Sequence, residues 1–137
     1  MIIETALICL ALNIFNEAGN QGDFGMIGVA EVTLNRIDHD HKKICKSVNN
    51  PANFGWVLKY PPRNRMQHAY KALDLKSKNW IKAKNIAAKA LQGKNPVIVG
   101  NATHFINPKR DKPNWAKVFT RVAIIGEHHF YINSRKL

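Results

Sequence analysis

The chain has 137 residues, 45% of them hydrophobic, and 21 Lys and Arg against nine Asp and Glu give a formal net charge of +12. This length suits one compact domain over residues 1–137. A domain of this size buries enough surface to be stable without a structural metal or a disulfide. No internal repeat or Gly/Ser-rich linker appears, which excludes a solenoid, and we expect a monomer. The charge favours a polyanionic partner: nucleic acid, anionic lipid or an anionic cell envelope.

Two features bear on the compartment. The chain begins Met1-Ile2-Ile3-Glu4, without a basic segment, and its first apolar stretch is short and interrupted by Asn13. We therefore expect neither an export signal nor a transmembrane segment. Cys9 lies in an apolar run and is predicted to be a buried thiol, with a disulfide to Cys45 as the alternative in an oxidising compartment.

Apolar residues at helical spacing predict four helices and one short helical turn. The expected ranges are Ile3–Asn16, Phe24–Ile37, Ile44–Val48 (the turn), Arg65–Leu75 and Ser77–Leu91. The first helix is predicted to be central, because apolar side chains occupy more than one of its faces. Asp23 is the predicted N-cap of the second helix, and the proline-containing stretch 49–64 is predicted to be loop.

The chain becomes β-prone from Pro96 onward. Short strands are predicted at Val97–Val99 and Ala102–Ile106, followed by a hairpin of Arg121–Ile125 and His128–Ile132. The Gly126-Glu127 pair between the last two strands indicates a type II′ turn. The fold class is therefore α+β, mainly helical, with a small C-terminal β-hairpin region.

Glu17 is the strongest candidate for a catalytic residue. It follows the first predicted helix and lies on a helical wheel between Leu10 on the apolar stripe and Asn13 on the polar edge. Partial burial and the negative end of the helix dipole both disfavour a charged carboxylate, so we expect a raised pKa. A general acid needs such a pKa near neutral pH. From spacing alone, a solvated glutamate at a helix end is the alternative.

A series of motifs begins at this residue. They are Asn16-Glu17-Ala18-Gly19, Gly25–Ile37, Ile44–Val48, Asn53–Trp56, Ala102–Phe105, Pro113–Ala116 and Ile125–Tyr131. In this order they resemble the SleB-type cell-wall hydrolases, a family of spore cortex-lytic enzymes and phage endolysins. The resemblance covers nearly the whole chain. It departs from the family pattern at Asn16, Gly19 and Gln21, the last standing approximately where a second glutamate is common.

The resemblance implies a lysozyme-like domain, similar to goose-type lysozymes and lytic transglycosylases, that cleaves the MurNAc-GlcNAc β-1,4 bond of peptidoglycan. Glu17 would protonate the glycosidic oxygen. The shortage of a clear partner acid favours a lytic transglycosylase, whereas a hydrolytic muramidase is the alternative and needs a second carboxylate. Glu31 and Asp23 are kept as candidates for that carboxylate, although a surface hydrogen bond to Asn35 is expected for Glu31 and capping for Asp23.

Six further residues are expected to bind the sugar strand, through aromatic faces or polar groups. They are Phe54, Trp56, Thr103, His104, Trp115 and Tyr131. For each aromatic residue, packing beneath a loop is the alternative. No cofactor and no metal are expected, because neither the set of His39, His41 and Cys45 nor the pair His128 and His129 matches a zinc spacing.

The rival class is a basic nucleic-acid-binding protein, but no recognition element is present, so no specific nucleic acid is expected as a partner. Lys42-Lys43 and the lysine face of the Ser77–Leu91 helix are instead expected to draw the protein to an anionic envelope. A catalytically inactive wall-binding module and a metal-dependent amidase are weaker alternatives. We expect a phage or prophage endolysin that stays in the host cytoplasm until the inner membrane opens and then acts on the cell wall.

Overall fold

The computed structural model describes residues 5–133, in which helices precede a small antiparallel sheet. The α-helices are α1 (Ala6–Ala18), α2 (Gly22–Asn35), α3 (Ile44–Val48), α4 (Arg65–Lys71) and α5 (Lys78–Leu91). The strands are β1 (His104–Ile106), β2 (Thr120–Ile125) and β3 (His128–Ile132), in the order β1-β3-β2. Short 3₁₀ helices cover His41–Lys43, Gly55–Lys59 and Asn114–Lys117. Within this range, no helix has the length and apolar character needed to cross a membrane.

Helix α1 is central, as predicted, and contacts α2, α3, α4 and α5. Its described start is capped by the Thr5 hydroxyl, which accepts from the Ile8 N–H at 3.2 Å; the predicted start at Ile3 lies outside the described residues. Buried Asn13 donates to the Thr33 hydroxyl at 2.9 Å and accepts from the Trp56 indole N–H at 2.8 Å. Because every partner in this network is satisfied, it fixes α1 against α2 and the 55–59 segment.

Cys9 and Cys45 form a disulfide that joins α1 to α3. The prediction of a buried free thiol at Cys9 is therefore wrong. Cys9 is fully buried, as its apolar neighbours suggested, but the packing of α3 on α1 brings the two Cα atoms to 5.2 Å. That separation suits a disulfide, and it depends on a tertiary contact between residues 36 positions apart.

Helix α2 begins earlier than predicted. Its N-cap is Gln21, and Asp23 lies in the first turn, where it pairs with Lys82 of α5 at 2.9 Å. The prediction of Asp23 as the cap is therefore wrong. A carboxylate in the first turn still complements the helix dipole, and the ion pair is exposed on both sides, so it adds little to stability.

The predicted strand Val97–Val99 is not a strand. The backbone N–H groups of Ile98 and Val99 donate to the Glu31 carboxylate, at 2.5 and 3.2 Å, where a sheet would pair them with a neighbouring strand. Glu31 therefore anchors this loop on α2, whereas its predicted hydrogen bond to Asn35 is not formed. The Asn35 amide instead donates to the backbone carbonyl of Ala102, which leads the chain into β1.

The sheet packs on α2 through a close contact between Gly28 and the Phe130 ring of β3. A Cβ added at Gly28 would lie 2.7 Å from Phe130 Cζ, so only glycine fits at this point of the helix. The hairpin of β2 and β3 turns at Gly126, where φ is +58°, while Glu127 keeps a negative φ, as a type II′ turn requires. Strand β1 adds to β3, with Phe105 opposite Phe130, and forms one wall of the site described below.

Candidate active site

Glu17 lies in the last turn of α1 and lines a cleft of about 390 Å³. The cleft is lined by the end of α1 and by Arg36, just after α2. The 53–59 segment, β1, the 106–111 segment and His128 line it as well. The lining residues are Asn16, Glu17, Arg36, Asn53, Phe54, Gly55, Trp56, Lys59, Phe105, Ile106, Asn107, Arg110, Asp111 and His128.

The Glu17 carboxyl is half-buried, and burial raises its pKa to about 7. Burial is the largest cause because a carboxylate loses more hydration than a neutral carboxylic acid. The nearby charges of Arg36, Arg110 and Lys59 lower the pKa, while Asp111 raises it. The prediction of a raised pKa is confirmed, and Glu17 is able to hold a proton near neutral pH.

Arg36 is the fixed cation of the cleft. Its Nε donates to the Thr103 carbonyl at 2.5 Å, a second guanidinium nitrogen donates to the Asn53 carbonyl at 3.1 Å, and the group lies 5.1 Å from the Phe54 ring centre. Burial lowers the pKa of Arg36, and the Glu17 charge opposes that shift. Arg36 thus joins the backbone at Asn53 to the backbone at Thr103, and its charge acts on Glu17. Arg36 lies within one of the sequence motifs, but the sequence alone gave it no role.

A second carboxylate, Asp111, also lines the cleft, and the sequence analysis did not select it. Its segment turns where the Asn107 carbonyl accepts the N–H groups of Arg110 and Asp111, at 2.9 and 3.0 Å. The two acids kept as alternatives, Glu31 and Asp23, do not line the cleft; one anchors a loop and the other pairs with a lysine of α5. Asp111 therefore replaces Glu31 and Asp23 as the candidate for a second catalytic carboxylate.

Gln21, at the approximate position of the family's second glutamate, does not line the cleft either. Its amide nitrogen donates to the Glu127 carboxylate at 2.9 Å, and its amide oxygen accepts the Glu127 N–H at 3.0 Å. This reciprocal pair fastens the turn between α1 and α2 to the hairpin turn of the sheet. Gln21 therefore has a structural role outside the cleft.

His128 has a buried imidazole that also lines the cleft. Burial lowers its pKa, and the positive charge of Arg110 lowers it further, so the ring is neutral at neutral pH. Its Nδ1 is buried without a hydrogen-bond partner among the residues that the structure describes. The sequence analysis weighed His128 only as a zinc ligand.

A second cavity, of about 770 Å³, continues from the first and shares Arg36, Asn53 and Phe105 with it. Thr103, His104 and Trp115 line this distal cavity, so the structure places three of the six predicted sugar-binding residues there. The His104 ring centre lies 4.9 Å from those of both Trp115 and Phe119, and Trp115 stacks on Phe119 at 5.2 Å. Phe119, which the sequence analysis missed, supports this aromatic surface.

The other three predicted residues are more deeply packed. Phe54 and Trp56 line the Glu17 cleft but are buried, and the Trp56 N–H is already bound to Asn13. Tyr131 is buried and lines neither cavity; it contacts the edge of Trp115, with ring centres 5.2 Å apart. Tyr131 is thus placed to support Trp115, and sugar binding by the six residues stays a prediction.

The two combinations considered for zinc are not assembled. Cys45 is bound in the disulfide, and His39 contacts the Asn35 side-chain oxygen at 3.0 Å. Over residues 5–133, no group of three His, Cys, Asp or Glu side chains gathers in a way that could hold a metal ion.

The sequence profile of the family described as Cell Wall Hydrolase matches residues 20–131. The chain belongs to the cell wall hydrolase family. It is therefore an enzyme of cell-wall degradation, as predicted. This leaves the nucleic-acid-binding alternative without support. A comparison with curated protein sequences finds no significant match. The match to the family begins three residues after Glu17, so the case for Glu17 rests on the geometry and electrostatics of the cleft.

Two solved structures share the fold of this cell wall hydrolase. One is the catalytic domain of the germination-specific lytic transglycosylase SleB from Bacillus anthracis, with 20% identity, a TM-score of 0.62, and coverage of 96% of this chain and 97% of the other. The other is the catalytic domain of the Bacillus cereus SleB protein, with 23% identity, a TM-score of 0.59 and coverage of 96% and 93%. Together with the family match, they confirm the SleB-type resemblance and the mainly helical, lysozyme-like fold.

Proposed function

We propose that this cell wall hydrolase is a peptidoglycan lytic transglycosylase in which Glu17 is first the general acid and then the general base. The observation that supports this most directly is a half-buried carboxyl, lining a cleft, with a pKa of about 7. Such a group is both protonated and ionised in substantial amounts at neutral pH, so it can donate a proton and later take one back. One structural neighbour is itself described as a lytic transglycosylase.

In the first step, the Glu17 carboxyl donates its proton to the oxygen between N-acetylmuramic acid and N-acetylglucosamine. The bond from the muramic acid C1 to this oxygen breaks, and the muramyl ring develops oxocarbenium character. In the second step, the Glu17 carboxylate removes the proton of the C6 hydroxyl as that oxygen attacks C1. The products are a 1,6-anhydromuramyl end and a free C4 hydroxyl on N-acetylglucosamine, with Glu17 protonated again and no water consumed.

The cations around Glu17 stabilise its ionised form, which exists between these two steps. After the first transfer, the carboxylate is negative inside a partly buried cleft, where Arg36, Arg110 and Lys59 stabilise it. Without them burial would raise the pKa further, and the acid would donate its proton less readily. Arg36, held by two backbone carbonyls, provides the part of this positive charge that needs no rearrangement.

A hydrolytic muramidase is the second candidate, and Asp111 is the observation in its favour. A hydrolase needs a second carboxylate that activates water or stabilises the sugar cation, and Asp111 lines the same cleft as Glu17. In that reaction water adds to C1, and the product carries a reducing end.

Mass spectrometry of the fragments released from purified peptidoglycan distinguishes the two reactions. We expect anhydromuropeptides from the native protein and from Asp111→Asn, and none from Glu17→Gln. Reducing muropeptides that disappear in Asp111→Asn would replace the transglycosylase with a muramidase. If Glu17→Gln released fragments as fast as the native protein, Glu17 would not be the general acid.

For the biological setting, we propose an endolysin of a phage or prophage that is held in the cytoplasm until the inner membrane opens. Its Cys9–Cys45 disulfide would then form after the protein leaves that reducing compartment. The net charge of +12 supports attraction to an anionic envelope, and the exposed lysines of α5 provide part of that surface. Bacteria producing the native protein should lyse only after the inner membrane is permeabilised, and those producing Glu17→Gln should not lyse. Lysis without permeabilisation would contradict retention in the cytoplasm.

A further inference from the structure

Two cations at the rim of the Glu17 cleft have no structural role in the described chain. Lys59 ends the 55–59 segment, Arg110 lies in the 106–111 segment, and both line the cleft. Both side chains are exposed, and over residues 5–133 neither forms an ion pair with a carboxylate. Arg36 differs from them, because its guanidinium is bound to two backbone carbonyls.

These two cations stabilise Glu17 only in its ionised form, and so lower its pKa. When the substrate binds, Glu17 is protonated and leaves both charges without a negative partner on that residue. With Glu17 protonated, the cleft contains the positive charges of Arg36, Lys59 and Arg110 against the single negative charge of Asp111. This excess of positive charge, exposed to solvent at Lys59 and Arg110, is complementary to an anionic group on the ligand.

The chemistry of the muramyl residue supplies such a group. This sugar differs from N-acetylglucosamine by a lactyl ether on C3, two carbons away from the C1 atom at which the bond breaks. In a peptide-free strand the lactyl group ends in a carboxylate. In a strand with stem peptides that group is an amide, and the nearest carboxylates belong to the peptide. The lactyl group therefore lies close to Glu17 when the scissile bond is placed beside it, and the stem peptide extends outward from that same point.

We propose that Lys59 and Arg110 together bind a carboxylate on the muramyl residue at which the strand is cut, and so select acidic strands over neutral ones. This inference rests on the proposed function and adds to it the charge of the preferred substrate. An arginine and a lysine that line the same cleft can both donate to one carboxylate, and charge-assisted hydrogen bonds of this kind are the stronger ones.

Binding to Glu17→Gln is the cleanest test. The variant removes turnover, and it also removes the titrating group, so any influence of the two cations on the pKa of Glu17 cannot affect the result. The probes are three glycan fragments of equal length: peptide-free with a lactyl carboxylate, peptide-free with the lactyl group converted to a primary amide, and peptide-bearing. The dissociation constants are measured by tryptophan fluorescence for Glu17→Gln and for Glu17→Gln with Lys59→Gln and Arg110→Gln.

We expect the amidated fragment to bind about fivefold to tenfold more weakly than the carboxylate fragment, and the additional pair of substitutions to reduce that ratio to below about twofold. Lys84→Gln, an exposed lysine of α5 outside the cleft, removes one charge elsewhere and should leave the ratio unchanged. If the peptide-bearing fragment binds as tightly as the carboxylate fragment, the stem peptide supplies the carboxylate; if it binds as weakly as the amide, the lactyl group does.

Equal affinities for the carboxylate and amidated fragments would overturn the proposal, as would a ratio that survives loss of both cations. Failure of the proposed function would show itself separately, because the native protein would then release no glycan fragments from peptidoglycan whatever the binding data gave.

Discussion

Replacement of Glu17 by Gln should stabilise the folded protein at high pH while abolishing its activity. The folded protein holds the Glu17 proton with a pKa of about 7, whereas an unperturbed glutamate has a pKa of 4.5. Between these two values the folded state binds a proton that the unfolded state has released. The stabilisation from this proton is complete below pH 4.5 and is lost as the pH rises through 7.

The magnitude follows from the size of the shift. Each pKa unit corresponds to about 1.4 kcal/mol, so the shift from 4.5 to about 7 corresponds to at most about 3 kcal/mol in the free energy of unfolding. Glutamine has nearly the same shape and never ionises. The stability of Glu17→Gln relative to the native protein should therefore rise from near zero at pH 4 to about 3 kcal/mol at pH 9, a difference of roughly 10 °C in melting temperature.

Urea denaturation of both proteins at several pH values between 4 and 9 provides the measurement, and the difference between the curves removes the titration of all other groups. Glu127→Gln is the matched control, because hydrogen bonds from Gln21 and Lys109 lower the pKa of Glu127. Its stabilisation is present above the unfolded pKa and lost as the pH falls, so the control should show a change of the opposite sign. A pH-independent difference for Glu17→Gln would refute a buried, proton-holding Glu17.

Three further outcomes are expected. The activity of the native enzyme should fall as the pH rises above about 7, because the general acid loses its proton there; a profile still rising at pH 9 would contradict this assignment. Reduction of the Cys9–Cys45 disulfide, which links residues 36 positions apart, should lower the free energy of unfolding by about 4 kcal/mol in denaturant titrations; the double serine variant should not respond to reductant. Gly28→Ala should cost about 1–3 kcal/mol because its Cβ would meet the buried Phe130 ring, whereas Gly55→Ala, with open space around its Cβ, should leave the melting temperature almost unchanged.

Periodicity predicted the helices because their apolar faces are buried against one core. α3 has the predicted range, and α5 begins one residue after the predicted start at Ser77, which is its N-cap. The residues whose partners lie far away in the sequence were predicted less well. Val97–Val99 has strand-like composition, but the Glu31 carboxylate binds its N–H groups, and no local pattern shows this. The disulfide was missed for the same reason.

In the candidate site, too, a residue defined by its local sequence was predicted, whereas residues brought together by the fold were not. Glu17 could be found because its position at the edge of an apolar stripe is a local property of one helix. Lys59 comes from one segment, and the adjacent Arg110 and Asp111 come from another. They meet Glu17 only in the folded chain, and exposed residues of these types are usually solvated. Arg36 did leave a signal, since it is the only Lys or Arg among the first 41 residues and follows an apolar helix.

The position of Glu17 at the end of α1 also explains how the fold tolerates an acid of this kind. Ionising a half-buried carboxyl opposes folding by about 3 kcal/mol, which is comparable to the stabilisation from burying one or two large aliphatic side chains. Earlier in the same helix, Leu10, Leu12 and Ile14 are fully buried. Their burial, the Asn13 network and the disulfide all hold α1 in place, so the helix can present its last turn to the cleft without unfolding when Glu17 gives up its proton.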